Sequence, residues 1–478
     1  MSATNLRRTK IVATLGPATD DDAVFTDMVN NGLNVVRLNF SHGTHEDQTE
    51  RFNRVRRLAK QCDQTVGILV DLQGPKIRIA KFKQGPIQLD VGDNFTLDCE
   101  LDESLGDQNS IGVTYKELYK EVSSGSELML DDGAIQLKVI ELDDKKIHCE
   151  TLVGGELSNN KGLNLRGGGL SAGALTEKDK ADIVVAGREK ADFLAISFVR
   201  SAEDVEEARK LFFAAGGNGA IVSKIERAEA IENLDEVIAA SDGVMIARGD
   251  LGVEIGDEEL PMLQKQIINV ARNNDCFTIT ATQMMQSMIT SALPTRAEVM
   301  DVANSIIDGT DAVMLSAETA VGNHPHIVIQ TMDRVCRGAE RKRLMPRKYR
   351  DDRNFQDSEE SVAMASMYIA NKSAVIAIVS LTESGHTPRL MSRISSGIPI
   401  FALSRHPDTA QRVTLLRGVY PLTWDLDLDN RDTLDDQIIR ALKGKMKLQK
   451  GDQILVTCGD MRGVQGQTNT LKIITVHS

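Results

Sequence analysis

The sequence lacks closely spaced cysteines. Its six cysteines lie far apart, with no CxxC motif and no clustered Cys/His spacing. This distribution argues against both a structural zinc site and a disulfide framework. We therefore expect reduced thiols and a cytoplasmic protein.

Long apolar runs are missing as well. No run reaches the roughly 18 residues of a membrane-spanning helix, and the N-terminal stretch MSATNLRRTKIVATLG has no apolar signal core with a cleavage site. A content of 41% hydrophobic and 26% charged residues is typical of globular proteins. We expect no membrane partner.

Basic residues are fewer than acidic ones, and the formal net charge is −13. This balance disfavours nonspecific nucleic-acid binding, so an anionic substrate would need a few basic residues gathered at its site. The glycine signatures of the common nucleotide-binding loops are absent too. The glycine-rich NNKGLNLRGGG at 159–169 matches neither the Walker A loop nor the Rossmann fingerprint.

What the chain does contain is a series of eight short apolar, β-branched runs, most of them separated by stretches of helical periodicity. Such alternation predicts a parallel sheet covered on both faces, and eight units favour a closed (β/α)8 TIM barrel. A doubly wound open sheet is the alternative. The runs begin at Lys10, Asn34, Val66, Asp192, Ala220, Gly243, Phe277 and Ala312.

Two further domains are predicted. The pattern changes at 73–168 to short alternating runs divided by turn formers, which predicts an inserted small β-barrel placed as a lid over the barrel mouth. A charged linker at 341–360 leads to a C-terminal α/β regulatory domain with a mostly parallel sheet. The expected boundaries are 1–72 and 169–342 for the TIM barrel, 73–168 for the insert and 343–478 for the C-terminal domain.

Polar residues stand at nearly every predicted strand end. Lys224 and Glu226 are two residues apart and therefore project from the same face of their strand. One such pair could be a solvent-facing ion pair, but the whole set favours an active-site mouth. Arg248 and Glu318 are equally compatible with orienting their neighbours. The set is Arg37, Asn39, Ser41, Asp71, Lys224, Glu226, Arg248, Asp250, Thr282, Ser316 and Glu318.

The chemistry of these residues suits phosphoryl and enolate groups. Glu226 and Asp250 are hard carboxylates on adjacent strands, as Mg²⁺ prefers. Lys224 beside them, with two arginines, could stabilise a transferring phosphoryl group and a developing enolate. Thr282 is a plausible hydroxyl relay.

Several long motifs resemble those of the pyruvate kinase family, in the same order and over essentially the whole chain. They are RLNFSHG (37–43), GPKIR (74–78), NNKG (159–162), SKIE (223–226), ARGDLGVE (247–254), ATQMMQSM (281–288), PTRAEVMDVANS (294–305, with Ser305 differing from the family) and MLSAETA (314–320).

The resemblance implies a homotetramer that converts phosphoenolpyruvate and ADP into pyruvate and ATP with Mg²⁺ or Mn²⁺. The catalytic residues would be Lys224, Thr282, Arg37 and Arg78. The substrate residues would be Arg37, Lys224, Gly249, Asp250, Thr282, Ser316 and Glu318. The nucleotide residues would be Asn39, Ser41, His42, Arg78 and Lys161, the last reaching in from the lid. Glu226 and Asp250 would hold the divalent metal, and Asn39, Ser41 and Asp71 would line a monovalent-cation site.

The sequence departs from the best-known family pattern at Leu72 and Lys76, where many relatives have Thr and Glu and require K⁺. The Lys76 ammonium could take roughly the place of the monovalent cation beside Asp71, so we expect K⁺ not to be required. The alternative is a solvent-facing lysine at the hinge of the lid.

A loop of the third domain resembles the family's binding loop for a phosphorylated effector. Hydroxyls and free backbone N–H groups before a helix suit a phosphate, although an ordinary capped helix would look alike. AMP, a sugar monophosphate or a bisphosphate would fit. The loop residues are Thr382, Glu383, Ser384, Gly385, His386 and Thr387.

Two other functions use the same barrel residues. A Mg²⁺-dependent enolate-forming lyase or aldolase would need no nucleotide, and therefore no lid carrying Lys161. A non-catalytic phosphometabolite sensor would have no need of intact Lys224, Glu226, Asp250 and Thr282.

Overall fold

The structure is a computed structural model, and it describes residues 6–170, 173–341, 354–423, 431–459 and 466–477. The first part of the chain contributes three buried parallel strands. Helix α2 begins at a capping box in which Thr44 and Asp47 satisfy each other's backbone N–H groups. The elements are β1 (Lys10–Thr14), α1 (Asp22–Asn30), β2 (Val35–Asn39), α2 (His45–Gln61) and β3 (Gly67–Asp71).

The inserted domain has its own apolar core and eight strands. Six of them pair in the order β11-β7-β8-β9-β5-β6, and β4 pairs separately with β10. The extended segment 77–80 joins the two ends of the six-stranded sheet. Its Ile79 N–H donates to Lys161 O at 3.0 Å and its Ala80 N–H to Gly112 O at 2.8 Å. The insert is therefore a small β-barrel, as predicted. The strands are β4 (Ile87–Leu89), β5 (Asn94–Asp98), β6 (Ser110–Gly112), β7 (Glu127–Leu130), β8 (Ile135–Asp143), β9 (Lys146–Val153), β10 (Gly155–Leu157) and β11 (Leu163–Leu165).

The chain then completes the large barrel. Its eight strands pair in parallel in the closed order β1-β16-β15-β14-β13-β12-β3-β2, so the barrel prediction is confirmed over the open sheet. The strands are β12 (Phe193–Ile196), β13 (Ala220–Ile225), β14 (Gly243–Ala247), β15 (Phe277–Ala281) and β16 (Ala312–Leu315). The helices are α3 (Glu177–Arg188), α4 (Ala202–Ala214), α5 (Ala228–Glu232), α6 (Leu234–Ala240), α7 (Arg248–Ile255), α8 (Leu260–Asn273), α9 (Arg296–Asp308), α10 (Ala317–Ala320) and α11 (Pro325–Arg341).

The C-terminal domain has a five-stranded sheet in the order β19-β18-β17-β20-β21, parallel except for the edge strand β21. The three predicted strands are present. The sequence pattern missed β19, which contains Pro421, and β21, which is half-exposed. The elements are α12 (Ser358–Lys372), β17 (Val375–Leu381), α13 (His386–Ser392), β18 (Ile400–Ser404), α14 (Pro407–Arg412), β19 (Val419–Thr423), α15 (Arg431–Lys443), β20 (Gln453–Gly459) and β21 (Thr468–Thr475).

The predicted linker at 341–360 lies mostly outside the described residues, and the domain boundaries stay predictions. Over the described parts of the chain, no helix is both long and apolar enough to cross a bilayer.

Candidate active site

Lys224 lies at the centre of the barrel mouth, at the C-terminal end of β13. Its ammonium is 3.2 Å from Asp71 Oδ1 and 3.0 Å from Glu226 Oε1, and it donates to Ser197 Oγ at 2.6 Å. Only 12% of the side chain is exposed, so the pair with Glu226 does not face solvent. Burial acts to lower the pKa of Lys224, but the two carboxylates outweigh it and raise the pKa above its ordinary value.

Asp71 contacts two positively charged side chains, Arg37 and Lys224. Its Oδ2 accepts from Arg37 Nε at 2.6 Å, and Arg37 Nη1 donates to Thr14 Oγ1 at 3.0 Å. Burial would raise the pKa of Asp71, but Lys224 and Arg37 together lower it below its ordinary value. Asp71 is therefore an ionised anchor that holds both cations at the mouth.

Glu226 and Asp250 form the expected carboxylate pair. Glu226 Oε2 accepts from Phe198 N–H at 2.9 Å. Burial raises the pKa of Glu226, Lys224 opposes the rise, and the neighbouring Asp250 adds to it. Asp250 lies in the first turn of α7. Two carboxylates suit Mg²⁺, which fills its remaining positions with water and substrate oxygens. No cluster of three or more metal-ligand side chains occurs within the described ranges.

Thr282 has a φ of 64°, a left-handed conformation that a β-branched residue rarely adopts. Its Oγ1 accepts from Gly249 N–H at 3.1 Å and donates to Ala281 O at 2.7 Å. Arg248 Nη2 donates to Thr282 O at 2.8 Å and is paired with Asp301. Both terminal nitrogens of Arg248 are thus engaged by neighbouring residues, and its role in the site stays a prediction.

Glu318 is hydrogen-bonded to the backbone around it. The side chain is buried, and its Oε2 accepts from Ser316 N–H at 2.7 Å while its Oε1 accepts from Met285 N–H at 3.2 Å. Both oxygens are therefore engaged by backbone groups of the loops that follow β16 and β15.

Three predicted nucleotide residues lie at the end of β2 and in the turn that follows it. Asn39 Oδ1 accepts from Ser41 N–H at 3.1 Å, and His42 is exposed. Buried Gln48 of α2 donates to His42 O at 2.7 Å and to Asn39 O at 3.3 Å. The turn is thus held in place from beneath by a side chain that was not predicted.

The inserted domain brings three basic residues to this end of the barrel. Arg78 Nη1 donates to Asn160 O at 2.9 Å, and Lys161 pairs with Asp131 at 2.8 Å, both within the insert. Lys76, in contrast, forms an ion pair with a residue of the barrel.

Lys76 Nζ lies 2.8 Å from Asp250 Oδ1 and 3.9 Å from Asp132 Oδ1. Burial acts to lower the pKa of Lys76, but Asp250 outweighs it and the pKa is raised. In this structure the Lys76 ammonium thus pairs with a predicted magnesium ligand. It forms no ion pair with Asp71, the residue beside which the sequence placed it. The hinge lysine does not face solvent either.

The predicted effector loop is already capped by its own hydroxyls. Thr382 Oγ1 accepts from Gly385 N–H at 2.9 Å, and Ser384 Oγ accepts from His386 N–H at 3.3 Å. Thr387 is buried and lies 2.8 Å from the Thr468 hydroxyl.

The same loop borders a cavity of about 570 Å³ between the barrel and the C-terminal domain. The residues lining this cavity include Arg209, Arg389 and Arg412. Glu383 accepts from His406 at 2.7 Å.

Ser197 is the main site residue that the sequence did not single out. Its hydroxyl links Lys224 to Leu72 O, to which it donates at 2.7 Å. Ser197 directly follows β12, so the strand-end rule applied to the fourth strand would have found it.

Two family profiles match the chain. The profile described as "Pyruvate kinase, barrel domain" covers residues 6–329, and "Pyruvate kinase, alpha/beta domain" covers residues 360–474. The chain belongs to the pyruvate kinase family. A protein named "Pyruvate kinase II" from Salmonella typhimurium is 52% identical over 98% of this chain and 99% of its own length. A "Pyruvate kinase" from Haemophilus influenzae is 53% identical over 97% of each.

Membership in this family establishes a phosphotransferase that converts phosphoenolpyruvate and ADP into pyruvate and ATP. The family generally requires Mg²⁺, which the Glu226 and Asp250 pair fits. The lyase and sensor alternatives are thereby set aside.

Proposed function

We propose that Lys224 is the residue that stabilises the phosphoryl group in transfer and the enolate oxygen left behind. The supporting observation is that its ammonium is held rigidly by Asp71, Glu226 and Ser197 in a nearly buried mouth. A fixed cation in such a site costs no reorganisation when negative charge develops. Arg37, fixed by the same Asp71, would bind phosphate oxygens.

Glu226 and Asp250 would hold Mg²⁺ or Mn²⁺. When bound, that cation supplies further positive charge to substrate oxygens. Thr282 would belong to the path that protonates the enolate carbon, and its strained backbone at the mouth supports this role. Gly249, Ser316 and Glu318 would complete the substrate pocket, Glu318 by positioning the backbone of Ser316.

The nucleotide would bind between the turn after β2 and the insert. Asn39, Ser41 and His42 would contact it from the barrel, and Arg78 and Lys161 from the insert. Because Lys161 is paired within the insert, it would have to leave Asp131 to reach a nucleotide.

K⁺ would not be required, because Lys76 supplies a positive charge that relatives with Glu at this place lack. Asn39, Ser41 and Asp71 would then be the remnant of a monovalent-cation site. The enzyme would be a cytoplasmic homotetramer, activated by a phosphorylated metabolite at the loop 382–387.

Replacing Lys224 with Met tests the central role. We expect kcat to fall by at least about 100-fold, as when one preorganised charge donor is removed from a transition state. Substrate binding should be largely retained. The measurement is coupled pyruvate formation, with Lys180→Met on the outer helix α3 as a control of equal charge change. If Lys224→Met kept a third of the wild-type kcat, Lys224 would not be the key cation.

A further inference from the structure

The ammonium of Lys76 forms an ion pair with Asp250, one of the two carboxylates that fit a divalent metal. Its distance to Asp250 Oδ1 is 2.8 Å, and the exposed fractions of the two side chains are 22% and 18%. The ion pair is therefore largely withdrawn from water and is screened less than a surface pair.

The lysine is held at this position by the insert. A Cβ built on Gly162 would come within 2.9 Å of Lys76 Cε, so the end of the lysine side chain lies close against the backbone of the insert at Gly162. Asp132 of the insert lies 3.9 Å from the same ammonium. The insert thus directs a positive charge at the barrel mouth.

We propose that Lys76 is a tethered competitor of the divalent cation. The ammonium neutralises Asp250 in the metal-free enzyme and must leave Asp250 when the metal binds. This inference rests on the proposed metal role of Glu226 and Asp250. Mg²⁺ binds carboxylate oxygens at about 2.1 Å, so an ammonium on the same oxygen would lie within about 5 Å of it and be repelled.

Displacement of Lys76 has a consequence for the insert. The Lys76–Asp250 pair joins the insert to α7, as does the 2.9 Å hydrogen bond from Gly167 N–H to Glu254 O. Metal binding would break the first contact and keep the second. The insert would then keep fewer contacts with α7 once the metal is present.

Mn²⁺ binding to the full chain, measured by electron paramagnetic resonance without substrates, tests the competition. We expect Lys76→Met to bind Mn²⁺ at least about fivefold more tightly than the wild type, the factor expected when one opposing ion pair is removed. Lys145→Met removes the same charge from an exposed ion pair of the insert with Glu100 and should change the affinity less than about twofold.

Each other result overturns the inference. An unchanged affinity in Lys76→Met would mean that the ammonium does not compete, and a weaker affinity would mean that it supports the metal ligand. Asp250→Asn separates the two proposals. If that variant kept wild-type Mn²⁺ affinity, the proposed metal site itself would be wrong, and the inference with it.

A measurement on the wild type covers the case in which Lys76→Met does not fold. Acylation of the Lys76 amine, followed by mass spectrometry, should become faster when Mn²⁺ saturates the enzyme, because the amine leaves Asp250. Unchanged or slower acylation would show that the metal leaves Lys76 in place.

Discussion

Asp71, at the end of β3, fixes the orientation of two cationic side chains of the site. One buried carboxylate holds Arg37 and Lys224, so two cations meet the substrate with their orientation already fixed. Strand-end alternation identified all three residues because the carboxyl ends of parallel strands converge. The same rule could not assign roles. Arg248 and Glu318 also stand at strand ends, yet their charged groups are engaged by a carboxylate and by backbone groups.

Glu254 gives a pH-dependent prediction. Its side chain is buried against Ala228 N–H and Asn164, and burial raises its pKa from 4.5 to about 7. A carboxyl group whose pKa is raised by folding contributes its full stability at pH values below its pKa in the unfolded chain. This contribution is lost as the pH rises through about 7, the pKa in the folded state.

Glu254→Gln does not titrate and should lose no stability by this route. We compare the unfolding free energy of this variant with that of the wild type at pH 5 and at pH 8. The difference should shift by about 2 to 3 kcal/mol in favour of the variant at the higher pH, at 1.36 kcal/mol per pKa unit. Denaturant unfolding at both pH values measures this. A difference between the two proteins that is the same at both pH values would contradict the raised pKa.

Lys76 gives a prediction on monovalent cations. Lys76→Glu should create a K⁺ requirement, because it replaces a positive charge near the mouth with a negative one. The wild type should be fully active with Mg²⁺ in tetramethylammonium buffer. Steady-state rates with and without K⁺ at constant ionic strength decide the matter. A wild-type rate that rises about tenfold with K⁺ would mean that the ammonium does not replace the cation.

At the scale of elements, the eight barrel strands were predictable because each is a short apolar run that is buried on both faces. The closure of the insert was harder to foresee from alternation alone. It depends on the segment 77–80, which pairs with two strands through only a few hydrogen bonds. The direction of Lys76 was missed for the same reason, since its target depends on how the insert packs against α7.

The loop between β17 and α13 gives a prediction at this scale. Ser384→Asp should abolish activation by AMP and sugar phosphates while leaving basal activity unchanged, because a fixed negative charge repels a phosphate from the loop. Ser373→Asp adds the same charge at an exposed position after α12 and should keep the activation. Activation curves for both variants test this. If Ser384→Asp responds like the wild type to every phosphorylated metabolite, the effector binds elsewhere.

At the scale of the whole molecule, a buried ion pair joins the barrel to the C-terminal domain. Arg393 of the C-terminal domain and Asp311 of the barrel are each 3% exposed. Arg393 Nη1 lies 2.9 Å from Asp311 Oδ2, and Arg417 N–H donates to Asp311 Oδ1 at 3.0 Å. Apolar periodicity cannot reveal such a contact, because it joins polar residues that are distant in sequence. The two domains are thus fastened by charges that have little access to water.

Asp311→Ala should therefore destabilise the protein by about 3–5 kcal/mol, since it leaves the guanidinium of Arg393 buried without its partner. We expect the C-terminal domain to unfold before the barrel, giving two transitions in calorimetry where the wild type has a more cooperative one. Asp27→Ala removes an exposed aspartate of helix α1 and serves as a stability control. Because a charge on the barrel surface contributes little, that variant should lose no more than about 1 kcal/mol. If both variants melted like the wild type, apolar packing alone would hold the two domains together.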